Sequence, residues 1–364
     1  MHQQNRLREY LNLGVFVLVL GAFFLLNLVT KPPLILASER RAPAQLPAFT
    51  LRSVASGSFM ARFEQYAADR FAFRESFRTL RAVTVFGLFL QSDKNGLYFG
   101  DAGAGEFKAL DPVSVRQAAE KIRAAAEALG DCPIYFALVP DKSIYAGKYL
   151  PGFDLEATER LLTEALDGIT YIPLADCLDA GCFYRSDLHW DQPAIEAVVA
   201  RLCGAMGAEH DFSGYSLADA GAFSGVYAGQ LALPIAPDRM RYLDAAQLQA
   251  LVFNDTTLQF EERPVYDPAR LLGVDPYDFF LQGPQAIVQL ENPSAPEGEL
   301  YLFRDSYGSS LAPLLACAYR SVTLIDLRYI DMRVLDQFVQ IKPGADVLFI
   351  YSAQILNNPS VLRG

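Results

Sequence analysis

The spacing of hydrophobic positions changes character along this chain. Residues 11–30 (LNLGVFVLVLGAFFLLNLVT) are apolar and carry no charge. Twenty residues rising about 1.5 Å each span roughly 30 Å, the depth of a bilayer's hydrocarbon core. Arg6 and Arg8 precede this stretch, and the following KPPLIL offers no small-x-small cleavage site. An uncleaved signal anchor is therefore expected rather than a cleaved signal peptide. Lys31, Arg40 and Arg41 follow, so the positive-inside count is nearly balanced, and the simpler topology leaves residues 1–10 as a cytoplasmic tail with the main domain outside. Residues 31–57, with Pro32, Pro33, Pro43 and Pro47, read as an extended tether. From Ser58 the period becomes helical. Phe59, Phe63 and Tyr66, then Phe73, Phe77 and Leu80, form an aromatic face expected to dock on the domain, with contact to the membrane as the second reading.

An α/β alternation begins beyond Asn95-Gly96, a turn leading into the strand LYF at 97–99. Helices are predicted over 114–129, 155–166 and 193–206, and strands over 132–139 and 171–174. Residues 211–298 break the rhythm with frequent Gly, Pro and Tyr, and read as a β-rich insertion whose one helix is 244–251. The alternation then resumes with strand 300–303, helix 309–318, strand 321–325, helix 331–339 and strand 345–351. Strands separated by helices predict a mostly parallel sheet in a three-layer α/β/α sandwich over 58–364.

Composition narrows the function. At 364 residues the chain has ample length for a buried core. A net charge of −11 and a pI near 4.9 exclude the basic footprint of a nucleic-acid binder. The five cysteines include no CxxC pair, which gives no support for a zinc site. Cys177 and Cys182 are near enough in sequence to bridge in an oxidising compartment, and five free thiols are the plain alternative. No cofactor and no metal are called for.

The chemistry concentrates in two places. ELYLFRDSYGSSLAPLL at 299–315 reads as a buried strand, a tight turn holding Ser306, and a helix start. That arrangement lifts the serine to the carboxyl end of a sheet, where α/β folds bind ligands. The second place is SDLHWD at 186–191. Of the three histidines, His2 lies in the tail and His210 in a surface-like AEHDF, so His189 is the candidate base, with Asp187 two residues away. A serine hydroxyl needs such a base, and the base needs a carboxylate to fix its tautomer. Taken alone, the Asp-x-His pair could equally ligate a metal, as in a phosphoesterase, or be a satisfied polar loop, and Ser306 could simply cap a helix.

SDLHWD at 186–191, RDSYGSSLAPLL at 304–315 and IDLRYI at 325–330 resemble the DHHW family. That family is in turn similar to the SGNH hydrolase-like proteins of alginate and cell-wall polysaccharide O-acetylation. ERRAPAQLPAFT (39–50), DRFAFR (69–74), VPDKSIYAGKYLP (139–151), FSGVYAG (223–229) and PYDFFLQGPQAIVQLENP (276–293) agree with it. The resemblance implies Ser306 as nucleophile, His189 as base and Asp187 as its partner. It further implies Arg328 lining the site, and backbone donors at Ser306 and Gly283 for a developing oxyanion. Tyr307, beside the serine, and Trp190, as a sugar-stacking platform or as packing beneath the His189 loop, are further candidates. Lys142 is either a surface lysine or a contact for an anionic donor, and Arg328 could equally be an ion-pair former with Asp326 or Asp331. Leu188 replaces the first histidine of the family's name, Arg304 stands where a glycine usually precedes Asp-Ser, and Pro284 where an asparagine is expected. The implied activity is a membrane-anchored, extracytoplasmic acyltransferase or esterase acting on O-acyl groups of a cell-envelope polysaccharide, with a membrane-bound O-acyltransferase as partner if transfer is the reaction. The alternative is a catalytically silent envelope protein that binds polysaccharide, or scaffolds partners, with the same cleft.

Overall fold

The computed structural model describes every residue except Met1, Pro32, Lys148, Tyr149, Pro151, Pro359, Val361 and Gly364. Pro32 of the tether, and Lys148, Tyr149 and Pro151 of the 139–151 segment, thus lie outside the described residues. Contacts divide the chain into two units between Leu90 and Gln91. The aromatic helices from Ser58 fall with the first unit rather than with the sheet.

In the first unit α1 (His2–Val29) contains a 22-residue stretch, Arg8–Val29, long and apolar enough to cross a membrane, and none of it is buried. The expected tether is only partly extended. Leu36 pairs with Arg41 in a β-bridge, and α2 (Leu51–Ala55) starts where Thr50 and Ser53 cap each other reciprocally. Helices α3 (Ser58–Asp69) and α4 (Arg74–Val83) follow, with a π-helical turn over Thr84–Leu88. Asp69, buried at the corner between them, accepts two 2.7 Å hydrogen bonds from Arg41 and one of 2.8 Å from the Ala44 N–H. The Arg41 guanidinium holds this carboxyl at a pKa of about 2. The face expected to dock carries its rings on its own unit: Phe59 on Phe63, Phe63 on Tyr66, and Phe71 and Phe77 on Phe23 of α1.

In the second unit β1 (Asp93–Lys94), β2 (Leu97–Gly100) and β3 (Gly103–Glu106) form a small antiparallel sheet. Its first turn is Asn95-Gly96, both residues left-handed at φ 56° and 80°. The large sheet begins with five parallel strands: β5 (Thr170–Ile172), β4 (Ile134–Val139), β13 (Asp346–Ser352), β11 (Glu299–Arg304) and β12 (Ser321–Ile325). Antiparallel β10 (Ile287–Glu291), β8 (Gln249–Asn254) and β9 (Gln259–Arg263) complete it. Alternate residues serve opposite faces. Leu300, Leu302, Leu348 and Ile350 meet α7 (Glu196–Met206) and α9 (Tyr307–Leu315). Tyr301, Phe303, Val347 and Phe349 meet α5 (Pro112–Glu127) and α6 (Leu155–Ala165). Because both faces are buried, these strands read as continuous apolar runs.

The 211–298 region is less separate than expected, since β8, β9 and β10 extend the main sheet. Only β6 (Ser216–Phe223) and β7 (Asp238–Asp244) pair apart as a ribbon. No helix forms over 244–251. Ala250 and Val252 are buried in alternation with Leu251, a period of two that belongs to a strand. The one α-helix there is α8 (Val226–Leu231), which starts within the FSGVYAG segment, and two 3-10 turns follow at Pro268–Leu272 and Pro276–Phe279. Near the end, α10 (Met332–Leu335) is shorter than predicted, and α11 (Ala353–Leu356) follows β13.

Candidate active site

β11 ends at Arg304, and the turn to α9 is held by Asp305. One of its carboxylate oxygens accepts the Tyr307 N–H at 3.0 Å and the other the Ser352 N–H from β13 at 2.7 Å. Ser306 is pinned between them at the helix N-cap, part-exposed while Asp305 and Tyr307 are buried. It thus stands at the carboxyl end of the sheet, where the helix's partial positive charge favours an anion. No group among the described residues accepts the Ser306 N–H.

The second loop folds back to this turn. Asp187 Oδ1 accepts the His189 backbone N–H at 3.1 Å and sits 2.7 Å from the ring Nδ1, and its Oδ2 accepts the Val226 N–H at 2.9 Å. His189 Nε2 lies 2.8 Å from Ser306 Oγ. A carboxylate has no proton to donate, so Nδ1 carries the hydrogen, Nε2 is left with a lone pair, and the serine hydroxyl donates to it. The three side chains are therefore linked in the order hydroxyl, imidazole, carboxylate, with the histidine and aspartate nearly sealed from water.

Neighbours fix that geometry. The Tyr277 ring stacks on the imidazole with centroids 3.6 Å apart and planes within 4°, and Tyr307 closes its edge at 5.0 Å. Ser310 Oγ accepts both the Tyr277 hydroxyl at 2.7 Å and the Trp190 indole N–H at 2.8 Å. Burial keeps the Tyr277 phenol protonated, raising its pKa well above the usual value. Lys142 donates to three carbonyl oxygens, of Ala104 at 2.8 Å, Tyr184 at 2.6 Å and Asp187 at 2.7 Å, which ties the loop to the small sheet. Burial lowers its pKa to about 7, against the pull of Asp187 and Asp238. Ser186 donates through N–H and hydroxyl to Asp238 and accepts the Gly225 N–H at 2.8 Å, so the FSGVYAG segment closes over the Asp187 loop.

The other sequence candidates are placed elsewhere in the chemistry. Trp190 is fully buried and packs edge-on against Tyr307 at 5.0 Å, leaving no face for a sugar. Tyr307 is buried too, and its hydroxyl donates to the Leu188 carbonyl at 2.7 Å, so it positions the His189 loop rather than a ligand. The position of the first family histidine acts here through its backbone. Gly283, at φ 81°, gives its N–H to the Phe280 carbonyl at 3.1 Å and is not a free oxyanion donor. It is a turn glycine, since a Cβ would fall 2.2 Å from Asp278 Oδ1. Arg328 pairs bidentately with Asp326 at 2.9 and 2.6 Å, and the buried Arg304 reaches the same carboxylate at 3.5 Å. Its contacts are structural. Lys142 is neither a surface lysine nor a donor contact. All five cysteines are free thiols, Cys182 sitting 3.5 Å from the Ala194 carbonyl rather than bonded to Cys177. Two clefts of about 390 and 330 Å³ open at the amino ends of β11, β12 and β13 and include none of the triad.

No family model and no curated protein matches this chain. A crystal structure of a DHHW family protein from Eubacterium siraeum DSM 15702 does, with a TM-score of 0.59, 18% identity, and coverage of 74% of this chain and 94% of that one. The fold is that of a DHHW protein. PatB1 from Bacillus cereus has it as well, at a TM-score of 0.57 and 17% identity over 71% of this chain and 96% of PatB1. PatB1 has also been solved with a sulfonyl adduct, a structure 15% identical to this chain. At these identities the likeness concerns the fold, and the DHHW resemblance read from the sequence holds at that level.

Proposed function

We propose that this chain is an acyl-transferring serine enzyme whose nucleophile is Ser306, carried on a three-layer α/β/α sandwich held at the outer face of a cell membrane by α1. The observation that carries this reading is the pair of contacts at 2.8 Å from Ser306 Oγ to His189 Nε2 and 2.7 Å from His189 Nδ1 to Asp187. Both lie within the reach needed for proton transfer in a triad.

In the first half-reaction His189 Nε2 takes the hydroxyl proton as Ser306 Oγ bonds to the acyl carbon. The oxyanion that forms faces the Ser306 N–H and the amino end of α9. Asp187 stabilises the imidazolium, which returns the proton to the departing alcohol as the carbon–oxygen bond breaks. In the second half-reaction an incoming hydroxyl gives its proton to His189 as it attacks the acyl carbon, the bond to Ser306 Oγ breaks, and the imidazolium returns the proton to Oγ, restoring Ser306. Water as acceptor makes the enzyme an esterase, and a sugar hydroxyl makes it a transferase.

The family resemblance supports acetyl as the acyl group and an envelope polysaccharide as its carrier. For transfer, a membrane-bound O-acyltransferase is the partner suited to deliver acyl groups. Arg304, which stands where the resemblance expects a glycine, is buried on Asp326 and leaves the serine open. The test is turnover of a chromogenic acetyl ester by the purified chain. Ser306→Ala is expected to lower it by at least about a thousandfold, and equal turnover in that variant removes Ser306 from the mechanism.

A further inference from the structure

We infer that the helices between Ser58 and Leu90 are a second attachment to the membrane, an interfacial collar seated on anionic lipid in the leaflet where α1 ends. This rests on α1 spanning the bilayer. Three independent features of the first unit carry it.

The first is a fixed depth. Near the end of α1, the Phe23 ring stacks on Phe71 at 5.8 Å and 7° and packs on Phe77 at 6.0 Å. Asn27 Oδ1 accepts the Ala72 N–H at 2.7 Å, so an amide inside the apolar span is satisfied by backbone from the collar. Phe23 precedes the helix end at Val29 by six residues, about 9 Å of helix at 1.5 Å per residue. With α1 in the bilayer, Phe71, Ala72 and Phe77 stand at the boundary between acyl chains and headgroups.

The second is apolar surface that the first unit leaves open. Phe73 is 63% exposed, Leu80 61%, Leu88 72%, Phe89 64% and Leu90 80%. A run of this kind is costly in water, and it is the composition of helices that lie in an interface. The exposed Arg52, Arg62 and Arg81 accompany it and make no ion pair among the described residues.

The third is the sign of the charge. Between Lys31 and Leu90, beyond the span, the chain carries nine basic and four acidic residues, net +5, whereas from Gln91 it carries twenty and thirty-seven, net −17. Arginines beside an anionic leaflet are attracted to it within a Debye length, and carboxylates are repelled. The acidity of the whole chain hides a basic first unit and an acidic second one.

The experiment uses the full chain in vesicles of phosphatidylcholine with and without phosphatidylglycerol, some brominated along the acyl chain. Trp190 is buried, so the wild type supplies a background for Phe89→Trp. We expect the added fluorescence to be blue-shifted and roughly halved by brominated lipid, more strongly with phosphatidylglycerol. The triple variant Arg52→Glu, Arg62→Glu, Arg81→Glu is expected to lose the dependence on anionic lipid. Carbonate washing reads α1 separately. If the Phe89→Trp chain resists carbonate but its added indole is unquenched and water-exposed, the collar is overturned while the anchor stands, the result expected if another protein covers this face. A chain released by carbonate overturns the anchor and the collar together. Equal quenching in neutral and anionic vesicles overturns the lipid preference.

Discussion

Gly225 offers a one-methyl test of how tightly the candidate triad is built. Its φ of −75° is ordinary, so no backbone strain enters. What the site lacks is space: a Cβ would stand 2.4 Å from Asp187 Cβ and 2.4 Å from the Ser186 carbonyl oxygen. Ordinary contact begins at 3.4 Å, so the neighbours must retreat by about 1 Å. They are not free to do so quietly. Ser186 is held on Asp238, and Asp187 is held by the Val226 N–H and by His189. The displacement therefore passes to the imidazole that faces Ser306. Overpacking of this kind costs about 1–3 kcal/mol, and a 1 Å misplacement of a catalytic group costs about a hundredfold in rate. The assay is ester turnover alongside thermal unfolding, with Gly204→Ala as the control. Gly204 lies in α7 with nothing within 4 Å of a Cβ, so its replacement should gain up to about 1 kcal/mol and leave turnover unchanged. Wild-type turnover by a folded Gly225→Ala would show that close packing does not hold Asp187 in place.

Two further predictions concern the same loop. Asp187→Asn keeps the shape but presents an amide to Nδ1, which destabilises the tautomer that leaves Nε2 free. Turnover should fall by about 10³–10⁴ with little change in melting temperature, and a fall of less than tenfold would count against Asp187 as the orienting carboxylate. Lys142 has a folded pKa of about 7 against an unfolded value of 10.5. Between these the unfolded chain holds a proton that the folded chain has released, so this group's contribution to stability rises with pH across that window and is at its lowest below about 7. Relative to Lys142→Met, the wild type should therefore gain stability from pH 7 to 10, measured by denaturant midpoint, and a difference that is flat or falls across that range would contradict the burial argument.

Much of the site was legible because its chemistry is scarce in this sequence. With three histidines in the chain, the base could be narrowed to His189, and the strand-turn-serine pattern placed Ser306 at the end of β11. The supporting shell was not legible. Tyr277 reads as one aromatic in PYDFF, and only the fold brings its ring 3.6 Å from the imidazole. Lys142 looks like any lysine after a strand, since three carbonyls from two distant segments must converge before burial becomes tolerable. Gly283 was misjudged, and the two readings of Arg328 stayed open until its pair with Asp326 was seen, for one reason: sequence shows which groups could donate, but not which already do. In the fold, the error at 244–251 arose where a buried strand and a helix share a short apolar run and periodicity alone does not separate them. The charge division at Leu90 could have been counted from sequence, but its meaning needed Phe23 and Asn27 in contact with the collar.

Covalent trapping tests whether His189 makes the Ser306 hydroxyl nucleophilic. PatB1, which shares the fold, has been solved with a sulfonyl adduct. The purified chain should be treated with a sulfonyl fluoride and digested, and the modified residue located by mass spectrometry. One adduct is expected, on Ser306, with labelling slowed by at least about a hundredfold in His189→Ala. Labelling spread over several serines, or unchanged in His189→Ala, would contradict activation of Ser306 by His189.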